Sequence, residues 1–247
     1  MIEIFAPAKL TWYLEVTGVR EDGYHLLRSE MLSLDLADRM TIEEGADYLR
    51  VLGPSSVPRD DSNLIGRALS LVKRRAGVTL EKRIPVGGGL GGGSADAAAI
   101  LRWAGGVSGH EALQLGGDVP FCQVGGRALV QGVGESVTPL NFEERLVTLL
   151  MAPFEVSTLQ VYQAYDELLS GGQRPDGTNH LEDPARLVEP RLATLLDWAR
   201  GEFGEVRLAG SGATVFVPRH LFSESSGDVK SPVGSVKWCQ TQATRAA

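Results

Sequence analysis

The segment from Pro85 to Ser94 contains six glycines within seven residues and leads directly into an alanine-rich stretch. Glycine adopts positive φ at little steric cost and lets another group approach the backbone closely. Ser94 is a favourable N-cap and alanine is the best helix former, which together predict a helix that Ser94 caps and that begins at residue 95. The free N–H groups and the dipole of such a helix favour an anion, most often a phosphate. The candidate phosphate-binding residues are Pro85, Gly87, Gly88, Gly89, Leu90, Gly91, Gly92, Gly93 and Ser94.

Three other interpretations of this glycine loop are weaker. A Walker A loop requires a lysine immediately before its Ser or Thr, and no lysine precedes Ser94. A dinucleotide-binding fingerprint is formally present, but it lies deep in the chain without a long apolar strand before it, and Glu111 is a poor match for the ribose ligand. A flexible linker is usually polar and rich in serine, whereas Ile84 and Val86 frame this loop.

Two charged residues are candidates for catalysis. Lys9 follows a proline-containing segment inside an otherwise apolar strand, where it is either an edge lysine that reaches solvent or a positive charge aimed at a substrate or a carboxylate. Asp118 lies in a Gly-Gly-Asp-Val-Pro turn, where it is either an ordinary turn residue or a base that accepts a proton from an attacking hydroxyl. A neighbouring lysine would keep such an aspartate ionised and would stabilise developing charge.

Two further segments have the composition of binding loops. Tyr24 and His25 follow a glycine turn, and a tyrosine ring offers a flat face on which a nucleobase stacks. Gly210, Ser211 and Gly212 separate two apolar segments, so they form either a plain hairpin turn or a close approach of the backbone to a ligand. Neither signal is specific on its own.

Taken in order, Lys9, Tyr24-His25, the glycine loop, Asp118 and the Gly210-Ser211-Gly212-Ala213 segment resemble the motifs of the GHMP kinases over most of the chain. The resemblance implies an α+β, two-lobed GHMP kinase fold with a glycine-rich phosphate loop that opens a helix. It also implies that Lys9 and Asp118 are catalytic, that the loop holds the phosphates of ATP, and that Mg²⁺ neutralises them.

The same resemblance implies a small-molecule substrate that carries a cytidine diphosphate group, in a step of isoprenoid precursor synthesis. Members with a Gly-Tyr-His segment hold a cytosine there, with an aromatic residue across the base, and Met31 occupies the position expected for that aromatic. The implied substrate-binding residues are Thr11, Tyr24, His25, Gly210, Ser211 and Gly212, with Thr11 at a position where the family usually has asparagine.

Two alternatives remain at this point. Another GHMP kinase, acting on mevalonate or homoserine, is disfavoured by the Gly-Tyr-His segment and by the triple glycines. A nucleotide-binding protein without catalysis is disfavoured by the presence of Lys9 and Asp118, because a protein that only binds needs no base.

Composition limits the partners and the location. The 247-residue chain has a net charge of −7, which argues against non-specific binding to nucleic acid. Cys122 and Cys239 do not form a disulfide framework, so we expect a reducing, cytoplasmic setting. The sequence lacks a signal peptide and an apolar run long enough for a membrane, and it does not reveal the oligomeric state.

The elements that must position these residues mix strands and helices without regular alternation, which predicts the α+β class and a domain boundary near residue 145, giving domains 1–145 and 146–247. Predicted strands cover residues 2–5, 10–17, 28–35, 39–44, 78–84, 127–132, 146–152, 205–209 and 213–217. Predicted helices begin at Ser62-Asn63 with a stop at Gly77, and cover 95–104, 109–115, 158–169 and 184–200, the last with Leu187, Leu192, Leu195 and Leu196 on its apolar face. The polar sequence after residue 217 predicts no clear final helix or strand.

Overall fold

Two β-sheets carry the fold, which a computed structural model describes for residues 1–60 and 62–246. The first sheet comprises β1 (Ile2–Val19), β2 (His25–Glu44), β3 (Tyr48–Leu52), β4 (Ala76–Glu81), β5 (Arg127–Gly132) and β6 (Ser136–Pro139). The second sheet comprises β7 (Leu146–Met151), β8 (Arg207–Leu208), β9 (Thr214–Val217), β10 (Ser226–Ser231) and β11 (Gly234–Gln242), in the order β10-β11-β7-β9-β8. The helices are α1 (Leu64–Leu71), α2 (Gly92–Trp103), α3 (Gly109–Leu113), α4 (Val119–Val124), α5 (Thr158–Ser170), α6 (Glu182–Val188) and α7 (Pro190–Phe203).

The long β1–β2 hairpin organises the first sheet. Strand β1 pairs antiparallel with β2 along almost its whole length, while β4 and β5 pair with opposite ends of β2. The β1–β2 register shifts three times, and two of these shifts lie between Pro7 and Lys9 and between Thr11 and Tyr13. Bulges of this kind bend a strand and re-aim its side chains, and they are frequent beside active sites. The irregularities therefore flank the segment that carries Lys9 and Thr11.

Helix α2 lies in the centre of the first hydrophobic core. Its residues from Ala95 to Leu101 are buried, including the charged residue Asp96. A helix that is apolar on nearly all sides is stable only inside a core. Alanine side chains let the neighbouring elements approach the helix backbone, and α1, α4 and β1 all pack against it. The glycine loop thus ends in one of the most deeply buried helices of the protein.

The second core lies between the second sheet and helices α5, α6 and α7, and includes Leu192, Leu195 and Leu196. This arrangement confirms the α+β class. The domain division at residue 145 stays a prediction, although Leu146 is the first residue of the second sheet. Contacts also cross between the two parts, because Leu14 bridges Asn179 and Leu34 bridges Ala243. Within the described residues, no helix is long and apolar enough to cross a membrane.

Several predicted elements have different boundaries in the structure. The helix predicted for 184–200 is two helices, because Glu189 is extended and the proline at position 190 begins a new helix. As a result Leu187 is 62% exposed and does not belong to the apolar face. The first helix ends at Leu71, and Lys73 with a φ of 53° turns the chain, whereas Gly77 lies inside β4.

The prediction for the C-terminal segment was wrong. Residues 226–242 form the β10–β11 hairpin, and β11 lies between β10 and β7. Its apolar side chains are few, but Val236 and Trp238 are buried in the second core. Backbone pairing with β7 holds this hairpin in the sheet, and the polar composition of the segment gives no sign of that pairing. The sequence also did not indicate the short elements β3, β6 and α4.

Candidate active site

The glycine loop passes into helix α2 at Gly91, and this corrects the predicted N-cap. Gly91 is the N-cap residue, in the left-handed conformation with φ 67° and ψ 26°, and its carbonyl accepts a hydrogen bond from the Ala95 N–H at 2.8 Å. Ser94 is therefore the third residue of the helix, and its hydroxyl is free to face a cleft instead of capping. The N-cap is a glycine and not the serine because the loop enters the helix through a residue in the left-handed conformation, which glycine adopts without strain.

The glycine loop packs backbone against backbone on the Gly210–Gly212 turn. A Cβ atom on Gly212 would lie 2.6 Å from Cα of Gly89, and one on Gly89 would lie 2.9 Å from the carbonyl oxygen of Ala209. Neither position has room for a side chain. The two glycine-rich segments, which are far apart in the sequence, form one continuous surface.

Lys9 joins this surface to the rest of the site. Its side chain is buried, and Nζ donates a hydrogen bond to Oγ1 of Thr11 at 3.2 Å. Its backbone N–H donates to the carbonyl of Leu90 at 3.0 Å, and its aliphatic chain lies against Gly91. A Cβ on Gly210 would be 3.7 Å from Nζ. Lys9 thus contacts both glycine segments and is not an edge lysine that reaches into solvent.

Asp118 completes an ion pair with this lysine. One of its carboxylate oxygens lies 3.3 Å from Nζ of Lys9, and its side chain is partly exposed. Asp118 precedes helix α4, but its side chain makes no capping hydrogen bond to that helix. The carboxylate is therefore available to a ligand. This arrangement favours the interpretation of Asp118 as a site residue over that of a simple turn residue.

A cleft of about 690 Å³ opens beside Asp118 and is the larger of two cavities next to the glycine loop. Ser94, Asp118, Tyr24, His25 and Met31 all line it. Tyr24 is 63% exposed at the rim, whereas Met31 is almost fully buried in its wall. The cleft has the size and mixed polar and apolar lining of a small-molecule site.

Helix α5 contributes an aromatic wall to this larger cleft that the sequence motifs did not predict. Tyr162 lines the cleft and stacks on the His25 ring with a centroid distance of 4.6 Å. Nε2 of His25 is 2.7 Å from Oδ1 of Asp166, one turn further along the helix. Burial raises the pKa of the Tyr162 phenol above its usual range, and the negative charge of Asp118 adds to the shift. Tyr162 therefore supplies an aromatic face directly beside the Gly-Tyr-His segment, and Met31 lines the same cleft.

The Gly210–Gly212 turn is held by Asn179, another residue outside the predicted site. Its amide nitrogen donates to the carbonyls of Leu208 at 3.1 Å and Gly210 at 2.7 Å. On the opposite side of the turn, the Ser211 and Thr158 hydroxyl oxygens lie 2.8 Å apart. Asn179 therefore fixes the glycine segment that approaches Lys9 through its amide nitrogen, while its amide oxygen accepts a hydrogen bond from the Leu181 N–H at 3.0 Å.

The smaller cavity, of about 200 Å³, lies on the other side of the glycine loop. Residues of the loop line it together with Ser62, Asn63, Lys82 and Asp96. The loop thus separates two cavities, and Asp118 of the Lys9–Asp118 pair lines the larger one.

Comparison with known proteins agrees with this geometry. Residues 63–126 match the N-terminal domain of the GHMP kinases. The chain is 35% identical over 245 residues to the 4-diphosphocytidyl-2-C-methyl-D-erythritol kinase of Janthinobacterium sp. (strain Marseille), covering 86% of this chain and 84% of the relative. It is 40% identical over 231 residues to the enzyme of the same name from Paracoccus denitrificans (strain Pd 1222), covering 85% and 84%.

The chain belongs to the 4-diphosphocytidyl-2-C-methyl-D-erythritol kinase family. A crystal structure of 4-(cytidine 5'-diphospho)-2C-methyl-D-erythritol kinase superposes with a TM-score of 0.73 at 31% identity, covering 98% of this chain and 100% of the other. A mevalonate kinase of L. major has the same fold, with a TM-score of 0.60 at 14% identity, covering 100% and 97%. The GHMP kinase fold and the family resemblance are therefore confirmed.

In this kinase, all the predicted site segments meet around the loop and the larger cleft. Lys9, Thr11, Asp118 and the two glycine segments are in contact through the distances given above. Tyr24 and His25 lie on the same cleft as Asp118 and Ser94. The roles of the individual residues stay predictions. Tyr162 escaped motif analysis because its helix has no distinctive local pattern. Asn179 begins an Asn-His-Leu-Glu segment that resembles an Asn-Asp-Leu-Glu segment common in the family, but it was not among the predicted site residues.

Proposed function

We propose that this protein transfers the γ-phosphoryl group of ATP to the 2-hydroxyl of 4-diphosphocytidyl-2-C-methyl-D-erythritol, a step of the methylerythritol phosphate route to isoprenoid precursors. Family membership supports the reaction class and the substrate. The observation that carries the assignment of roles is the 3.3 Å Lys9–Asp118 pair at the edge between the glycine loop and the larger cleft. The two free thiols, Cys122 and Cys239, agree with a reducing cytoplasm as the location.

The proposed chemistry assigns one task to each group. Asp118 accepts the proton of the substrate hydroxyl, or orients that hydroxyl, as the oxygen attacks the γ-phosphorus. The ammonium of Lys9 orients the Asp118 carboxylate and stabilises the charge that develops on the transferred phosphoryl group. The N–H groups of the glycine loop and the first turn of α2 hold the remaining phosphate oxygens. The bond to the β-phosphate oxygen breaks, and ADP leaves.

Mg²⁺ is part of this proposal. The described residues contain no group of three or more acidic, histidine or cysteine side chains able to hold a metal. Mg²⁺ binds in proteins through one or two carboxylates together with phosphate oxygens and water, and the Asp118 carboxylate lies on the larger cleft. Ser94, Asp118 and water are the candidate ligands, and the bound ion would neutralise charge on the phosphates.

We further propose that the two cavities divide the substrates between them. The larger cleft, with Tyr24, His25 and Tyr162, would hold the cytidine group, since aromatic faces bind nucleobases by stacking. The smaller cavity on the opposite side of the loop would hold the nucleoside of ATP. The Lys9–Asp118 pair then lies between the phosphates and the sugar alcohol.

A coupled assay of ADP release tests the proposal. Purified protein receives ATP and Mg²⁺ with 4-diphosphocytidyl-2-C-methyl-D-erythritol, mevalonate or homoserine as acceptor. We expect turnover with the cytidyl substrate alone, and a phosphorus spectrum of the product should locate the new phosphate on the 2-hydroxyl. Turnover with mevalonate or homoserine instead would refute the proposed substrate. Nucleotide binding without turnover on any acceptor would indicate a protein that has lost catalysis.

A further inference from the structure

A buried charged cluster lies directly beneath the glycine loop. Nζ of Lys82 donates hydrogen bonds to Asp38 on β2 and, at 2.9 Å, to Oδ2 of Asp96 on α2. All three side chains are at most 5% exposed. Lysine and aspartate are rarely buried to this extent unless they are paired. Lys82 and Asp96 also border the smaller cavity, but the chemistry proposed above gives the cluster no task.

One arm of the cluster holds the entry to the glycine loop. The second carboxylate oxygen of Asp38 accepts hydrogen bonds from the backbone N–H groups of Arg83 and, at 2.8 Å, Ile84. These residues immediately precede Pro85, where the loop begins. Asp38 therefore fixes the point at which the chain leaves β4, and Lys82 neutralises its charge.

The other arm holds the exit from the loop. Asp96 belongs to the second turn of α2, which starts at Gly92. A Cβ atom on Gly92 would lie 3.0 Å from Nζ of Lys82, so the first residue of the helix rests on the ammonium group. Oδ1 of Asp96 is buried and has no hydrogen-bond partner among the described residues. The hydrogen bond that Oδ2 accepts from Lys82 is thus the interaction that fixes this side chain.

We propose that Lys82 is a positioning residue for phosphoryl transfer, which clamps the entry and the exit of the glycine loop at a fixed separation through Asp38 and Asp96. Between these two points the loop forms no side-chain hydrogen bond with any residue that the structure describes, because most of its residues are glycine. Only backbone contacts hold it there. An anion-binding loop functions only when its N–H groups converge on one point. The inference rests on the proposed function, because it concerns the nucleotide that the loop would hold.

The decisive variant is Lys82→Met, which keeps the length of the side chain and removes its charge. Asp38 retains its two backbone hydrogen bonds in this variant, and Asp96 can bind a proton, since burial already raises the pKa of its carboxyl to about 8. Lys230→Met is the matched control, because Lys230 is an exposed lysine on β10. Both proteins are checked for an intact fold by thermal melting.

The readout separates positioning from general destabilisation. Binding of a non-hydrolysable ATP analogue is measured by calorimetry, and KM is measured for each substrate. For Lys82→Met we expect analogue affinity and kcat to fall at least about tenfold, the loss expected when reacting groups are displaced by a fraction of an ångström. The KM for the cytidyl substrate should stay within about twofold of wild type, because the larger cleft does not include Lys82. Lys230→Met should match wild type in every measurement.

A folded Lys82→Met protein that binds the analogue as tightly as wild type would overturn the inference. If that variant does not fold, Asp96→Leu decides, because leucine has a similar size but no acceptor for Lys82, while Lys82 stays paired with Asp38. Weaker analogue binding with an unchanged KM for the cytidyl substrate supports the clamp, and unchanged analogue binding refutes it. Failure of the proposed function is distinguishable, since wild type itself would then bind no analogue or show no turnover.

Discussion

The ammonium group of Lys9 lies 3.3 Å from the carboxylate of Asp118, although a bulged strand supplies one residue and the start of a short helix supplies the other. The lysine is buried and the aspartate faces the larger cleft. Each charge is therefore compensated before any substrate arrives. In the proposed reaction, a substrate hydroxyl that enters the cleft would meet a carboxylate that Lys9 already orients.

This relationship predicts the effect of Asp118→Asn. The amide keeps the size of the side chain but neither accepts a proton nor compensates Lys9, so kcat should fall by about 10²- to 10⁴-fold, the usual contribution of a general base. The KM values of both substrates should change only a few-fold, because the change acts mainly on the transition state. Steady-state kinetics of the purified variant measure both quantities. Asp228→Asn, on exposed strand β10, is the control, and a wild-type kcat in Asp118→Asn would exclude the proposed role.

The contact between the two glycine segments predicts opposite outcomes for two glycine substitutions. In Gly212→Ala the new Cβ would lie 2.6 Å from Cα of Gly89, so the phosphate loop must move. We expect kcat/KM for ATP to fall by about 10²-fold, because small displacements of reacting groups are costly. Gly201→Ala meets no atom within 4 Å in helix α7. It should raise stability by about 0.5–1 kcal/mol, the difference in helix propensity.

Thermal melting and initial-rate kinetics check this pair of variants together. Equal losses of activity in both would show that the helix substitution is not neutral and that the comparison fails. Full activity in Gly212→Ala would show that the loop adapts to the added methyl group without cost.

The aromatic residues of the larger cleft predict a selective loss of cytidyl-substrate binding. Tyr24→Ala removes an exposed ring, and stacking on such a ring contributes about 1–3 kcal/mol per base, so KM for the cytidyl substrate should rise by roughly 5- to 150-fold. Tyr162→Leu should act in the same direction, since its ring lies on the same cleft and supports His25. The KM for ATP should not change in either variant. Tyr24→Phe keeps the ring and should resemble wild type, and a large effect there would argue against stacking.

The buried carboxyl of Asp96 predicts how stability depends on pH. Burial raises its pKa in the folded protein to about 8, from 3.8 in an unperturbed carboxyl. Between these two values the folded state holds a proton that the unfolded state has lost, so this group lowers stability progressively as pH rises from about 4 to about 8. Asp96→Asn removes this dependence. Urea unfolding at a series of pH values measures the free energy of unfolding of both proteins. The difference between variant and wild type should rise up to about pH 8 and then stay constant, whereas parallel profiles would contradict the raised pKa of Asp96.

Sequence motifs predicted the parts of the site that are local in the chain. The glycine loop, Lys9 and Asp118 could be identified because each requires a particular residue type within a few positions of a turn or strand. Tyr162 could not, since its partner His25 lies on β2 and nothing in the α5 sequence distinguishes an aromatic residue on a cleft from one in a core. Lys82 reads as an ordinary charged residue of a strand end until the fold brings Asp38 and Asp96 beside it.

The fold shows the same limit. Amphipathic patterning identified most helices and strands, because burial of one face leaves a periodic signal. The β10–β11 hairpin gave no such signal, since its order comes from backbone pairing of β11 with β7 and from a few apolar anchors such as Trp238. Glu189 and Pro190 divide a continuous apolar pattern into two helices through local backbone geometry, which hydrophobic periodicity does not report.

The position of β11 also bears on how the chain is made. Strand β7 pairs with β9 on one edge and with β11 on the other, and residues beyond β11 return to the first sheet, where the Thr244 N–H donates to the carbonyl of Ser33 at 2.8 Å. During translation, β7 leaves the ribosome long before β11 does. Until then it presents an unpaired, apolar edge, a known starting point for aggregation. A nascent chain stalled before residue 234 would therefore be a substrate for chaperones, not a smaller kinase.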